Sequence, residues 1–122
     1  LSLLNQGKPD GIRTLRSMTD GDLFDDVRAD AAWQAGAYYA AANPPNLQEA
    51  YRYLDKSVEL YAREQACLEL GKVCIKLRKW DRAQSVLQRL LREFPYGDRK
   101  YLSEAERLLP EVQRELAREK PK

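Results

Sequence analysis

A repeated spacing of small residues constrains the fold of this chain more than any other feature. Gly36 and Gly71 lie 35 residues apart, and Ala50 and Ala83 lie 33 residues apart. Each lies within a segment whose apolar residues recur every three or four positions, which is typical of an amphipathic helix. Because glycine and alanine carry little or no side chain, a neighbouring helix can approach closely at these positions. The spacing therefore predicts two similar pairs of packed helices.

Turn-forming residues divide the chain into helical segments. The turns are predicted at Gly7-Lys8-Pro9, Asp20-Gly21-Asp22, Asn43-Pro44-Pro45-Asn46, Arg78-Lys79 and Pro95-Tyr96-Gly97. The predicted helices cover residues of about 1–6, 9–18, 23–42, 46–60, 63–77, 81–93 and 98–120. No segment alternates apolar and polar residues in the manner of a strand, so we expect an all-α fold.

Two helix starts carry a capping pattern, and the last helix contains a proline. Asn46 and Asp81 are followed three residues later by Glu49 and Gln84, so both are predicted to cap the helices that they open. Pro110 has no backbone donor, and its ring crowds the preceding helical turn. We therefore expect a kink or a break at Pro110.

The second helix pair resembles the tetratricopeptide repeat. The resemblance is carried by Cys67-x-x-Leu70-Gly71-x-x-Cys74, then Ala83-x-x-x-Leu87, then Pro95. An earlier copy reads Ala32-x-x-Ala35-Gly36-x-x-Tyr39 and then Ala50-x-x-x-Leu54, and a shorter one reads Gly11-x-x-x-Leu15. Cysteines and a leucine replace the aromatic residues of the repeat in the second pair, and these replacements keep the core positions apolar.

The resemblance implies an all-α, right-handed superhelical α-solenoid of antiparallel helix pairs, with about two and a half repeats. We expect one domain: a partial repeat at 1–22, repeats at 23–62 and 63–97, and a C-terminal capping helix at 98–120, kinked near Pro110. The rival interpretation is a generic helical bundle with chance small residues. An open solenoid end exposes apolar surface, so Leu1, Leu3 and Leu4 are predicted to contact another molecule or a further segment of the protein.

In this repeat family the first helix of each pair lines a concave groove. The candidate partner-binding residues here are Asp30, Trp33, Ala37, Gln65, Leu68, Lys72, Ile75 and Lys76. One large aromatic residue beside apolar and basic side chains suits an extended or helical peptide. The alternative is that the chain's own ends cover these residues. The groove positions include Trp33 and Leu68 rather than the Lys, Asn and Arg of a carboxylate clamp, so we do not expect a chaperone-tail adaptor.

The sequence excludes several kinds of chemistry. It has no histidine, which removes histidine-dependent catalysis and histidine-ligated metal sites. It has no phosphate-binding glycine loop, calcium loop or nucleophile elbow. Cys67 and Cys74 lie seven residues apart, about 10.5 Å along one helix, which is too far for a disulfide. We therefore expect no catalytic residues, no cofactor and no metal.

The expected function is a non-catalytic scaffold that binds a protein or peptide. The alternatives are a homo-oligomer formed by stacking of the N-terminal edge, a helical repeat that binds nucleic acid, and an enzyme with paired carboxylates. A net charge of only +2 argues against nucleic acid. The longest apolar run, Ala35 to Ala42, is too short to span a membrane.

A second resemblance concerns the segment that ends in a Phe-Pro turn. Leu90-Leu91-Arg92-Glu93-Phe94-Pro95, followed by Ala105 and Leu108-Leu109, is similar to repeats of bacterial envelope lipoproteins of the outer-membrane assembly and Tol-Pal-associated type. This resemblance implies a bacterial protein and slightly favours a periplasmic or outer-membrane-associated location over a cytoplasmic one.

Overall fold

Six α-helices and no strand make up the part of the chain that the structure describes. The computed structural model describes residues 9–21 and 24–119. The helices are α1 (Pro9–Thr19), α2 (Asp25–Ala41), α3 (Leu47–Leu60), α4 (Glu64–Lys76), α5 (Trp80–Glu93) and α6 (Arg99–Glu119). The all-α prediction is confirmed. The helix predicted at 1–6, with the expected partner contact of Leu1, Leu3 and Leu4, lies outside the described residues.

The chain divides into two compact units after residue 62. In the first unit α1 packs on α2, and α2 packs on α3. In the second unit α5 packs on both α4 and α6, and α4 also contacts α6. Over residues 9–21 and 24–119, each unit therefore contains one predicted helix pair together with one further helix.

The α2–α3 pair is antiparallel, as its contacts show along the whole length. The Ser57 hydroxyl donates to the Ala29 carbonyl over 2.7 Å near the start of α2. The Asn46 amide donates to the Tyr39 carbonyl over 3.0 Å near its end. Residues near the start of α2 contact residues near the end of α3, and residues near the end of α2 contact the start of α3. A short turn therefore suffices to join the two helices.

The two glycines lie where a second helix comes closest. A Cβ atom added to Gly36 would lie 2.6 Å from Leu54 Cγ and 3.2 Å from the Ala50 carbonyl oxygen. A Cβ atom added to Gly71 would lie 2.8 Å from Leu87 Cδ2. Carbon atoms pack best about 3.5–4.0 Å apart, so neither position has room for a methyl group as it stands. The predicted close approach of the helices is confirmed in both pairs.

The two capping predictions have different outcomes. Asn46 Oδ1 accepts a hydrogen bond from the Glu49 amide over 3.2 Å, so this cap is confirmed. Asp81 does not open its helix: α5 begins at Trp80, and Lys79 stands at the cap position without a side-chain hydrogen bond. The tight turn from α4 fixes this earlier start, and Asp81 then lies in the first turn, where its charge favours the helix dipole.

Pro110 lies inside α6 without breaking it. The helix is continuous from Arg99 to Glu119, so the prediction of a break is wrong, while the kink stays a prediction. Pro110 is exposed, so water can hydrogen-bond the carbonyl group that lacks its usual helical donor. Leu102, Ala105, Leu108, Val112 and Leu116 are buried along one side of α6, and this apolar stripe holds the helix on its unit.

Candidate functional site

The predicted groove residues of the first unit lie together on α2. Asp30 is half-buried and accepts a hydrogen bond from Gln34 Nε2 over 3.1 Å. Trp33 is also half-buried, and its indole N–H is shielded from solvent without a hydrogen-bond partner among the described residues. An unpaired buried donor of this kind costs about 1–3 kcal/mol.

A shallow pocket lies at the C-terminal end of α2. Its volume is about 580 Å³, and it is lined by Ala37, Tyr38, Ala41, Ala42 and Asn43. Ala37, the third predicted groove residue of this unit, therefore borders open space rather than the core. Tyr38 keeps 38% of its surface exposed beside the small alanines.

Leu68 belongs to the core rather than to an accessible surface. Its side chain is 5% exposed, although the helical spacing placed it in the groove. Seven of the thirteen residues of α4 are buried, so the buried face of this helix is wider than one stripe. A partner cannot reach Leu68 in this structure.

The other predicted groove residues of α4 are accessible. Gln65 and Lys76 are exposed, and Ile75 is half-buried. Lys72 Nζ lies 3.7 Å from Glu69 Oε1, and the Lys72 side chain is 41% exposed. A pair so exposed stabilises the fold by less than about 1 kcal/mol, which leaves the ammonium group available to an acidic partner.

A larger cleft in the second unit includes residues that the sequence did not indicate. The cleft has a volume of about 690 Å³ and lies where the α4–α5 turn faces the C-terminal half of α6. Its apolar lining is Ile75, Trp80 and Val112. Arg78 and Arg114 contribute exposed guanidinium groups. Of these five residues only Ile75 belongs to the predicted groove.

Arg78 has a backbone conformation that side-chain-bearing residues rarely adopt. Its φ is 60°, in the left-handed region where glycine is favoured. The Arg78 amide donates to the Ile75 carbonyl over 3.1 Å, and the Lys79 amide donates to the Cys74 carbonyl over 2.8 Å. These two bonds form a Schellman motif that ends α4, with Arg78 at the position where glycine is most common.

The charged residues of the cleft are only partly paired. Arg118 Nη1 donates to Glu115 Oε1 over 2.9 Å. Glu111 interacts electrostatically with Arg107 on the same helix. The guanidinium groups of Arg78 and Arg114 make no hydrogen bond or ion pair within the described part of the chain. The cleft therefore combines apolar surface with two guanidinium groups and two carboxylates, of Glu111 and Glu119, that form no ion pair among the described residues.

A polar network in the first unit connects α1 to α3. Tyr53 is 4% exposed, and its hydroxyl accepts hydrogen bonds from Arg16 Nε over 2.8 Å and from Arg52 Nη2 over 3.2 Å. Arg52 also forms a bidentate pair with Glu49 and thereby lowers the pKa of that carboxyl group. The Tyr39 ring stacks on Tyr53 with centroids 5.8 Å apart. The role of this network is structural, because its polar groups are already paired with one another.

Both cysteines are buried. Cys67 and Cys74 form no disulfide, as the spacing predicts. Burial raises the pKa of the Cys67 thiol to about 11, so at neutral pH it stays protonated and unreactive. No group of three or more Cys, Asp or Glu residues within 9–21 and 24–119 could hold a metal ion. None of the helices over the same residues is long and apolar enough to cross a membrane.

Comparison with protein-family models, with curated proteins and with solved structures gives no match for this chain. Its own geometry therefore carries the functional argument.

Proposed function

We propose that this chain is a non-catalytic interaction module, built as a right-handed α-solenoid of tetratricopeptide-like repeats, that binds a peptide or partner protein through a groove. One observation carries the proposal: the glycine of the first helix meets a leucine of the second helix in both pairs. Gly36 faces Leu54, and Gly71 faces Leu87. A chance bundle has no reason to repeat this contact at spacings of 35 and 33 residues.

The accessible residues on the first helix of each pair support binding rather than chemistry. On α2 these are Asp30, Trp33 and Ala37, and on α4 they are Gln65, Lys72, Ile75 and Lys76. They offer partly exposed apolar surface and two lysines, which suits a segment with apolar and acidic side chains.

The test is a pull-down from an extract of the source organism, with matched charge variants of the immobilised chain. Lys72→Glu reverses a groove charge, whereas Lys56→Glu makes the same change at an exposed position of α3. We expect Lys72→Glu to lose proteins that the parent and Lys56→Glu retain. Equal capture by all three chains would contradict the groove assignment.

Ile75→Ala tests the apolar part of the groove. Ile75 is half-buried, so its removal is expected to weaken binding of a captured partner by about 1–2 kcal/mol through lost apolar contact. Leu68→Ala is the comparison variant, because Leu68 is a core residue and its truncation chiefly lowers the free energy of unfolding. Titration calorimetry with the partner and urea unfolding of each variant separate the two effects. Light scattering reports whether the captured partner is a second copy of the chain.

A further inference from the structure

We draw no further inference here: the strongest candidate, the cleft between the α4–α5 turn and the C-terminal half of α6, balances the guanidinium groups of Arg78 and Arg114 with the carboxylates of Glu111 and Glu119, and nothing in the structure shows what covers its apolar lining.

Discussion

Gly36→Ala tests the contact on which the repeat rests. The added methyl carbon would lie 2.6 Å from Leu54 Cγ, about 1 Å inside a normal carbon–carbon contact. Cγ is the branch point of the leucine, so a rotation of the terminal methyl groups cannot relieve the overlap. The Ala50 carbonyl oxygen, only 3.2 Å away, belongs to the α3 backbone. Either Leu54 must leave its χ1 rotamer within the packed core, or the two helices must move apart.

The expected net effect follows from two opposing contributions. Alanine is favoured over glycine inside a helix by about 1 kcal/mol. Overpacking of a close helix contact costs about 1–3 kcal/mol. Because the overlap involves a branch carbon and a backbone atom, we expect the upper part of that range and a net loss of about 1–2 kcal/mol in the free energy of unfolding.

Urea unfolding measures this loss, with Trp33 fluorescence in a Trp80→Phe background as the reporter of the first unit. The matched control is the same substitution with Leu54→Ala, which removes the overlapping side chain. In that background the added methyl group should stabilise the chain by about 1 kcal/mol or more, because it gains helix propensity and refills space. If Gly36→Ala stabilises the parent chain, or if the two substitutions are additive, the close contact is not formed as described.

Substitutions at three further positions test features of the individual helices. Asn46→Ala should cost about 1 kcal/mol of unfolding free energy by removing the cap on Glu49, and urea unfolding with no such loss would contradict the cap. Arg78→Gly should raise the free energy of unfolding by about 1 kcal/mol, because glycine tolerates a φ of 60°. Arg78→Ala lacks that tolerance and should raise the free energy of unfolding much less. Burial raises the pKa of the Cys67 thiol to about 11 from an ordinary 9.0. As the pH rises, the unfolded chain therefore loses the thiol proton at a lower pH than the folded chain does. The free energy of unfolding should fall by up to about 2 kcal/mol between pH values of about 9 and 11. Cys67→Ala should remove that part of the pH dependence in pH-dependent unfolding, and an unchanged slope would exclude the thiol as its source.

The sequence predicted the helices and their close contacts because these depend on local spacing. Gly36 and Gly71 were identified by their period alone, and the structure places a leucine against each. Asn46 was recognised as a helix cap because its capping hydrogen bond joins residues three positions apart. Asp81 was assigned the same role wrongly, because the closing turn of α4 decides where α5 begins, and a capping pattern carries no information about that turn.

The binding surface was predicted less well than the fold. A helical stripe gives the direction of a side chain but not the width of the face that neighbouring helices cover. Leu68 is therefore buried although it lies one stripe from Leu70. The cleft was missed because it joins residues from three helices and a turn, so Arg114 is distant in sequence from Arg78 and Trp80.

The order in which the helices pack has a consequence for how fast the chain folds. In both units packing chiefly joins sequence neighbours, α1 with α2, α2 with α3, α4 with α5 and α5 with α6. Such contacts close only short loops, so little chain entropy is lost before packing begins to stabilise the product. Helical proteins with this local connectivity fold in about microseconds to milliseconds. The apolar face of each helix is then exposed only briefly, which limits the time available for aggregation during synthesis.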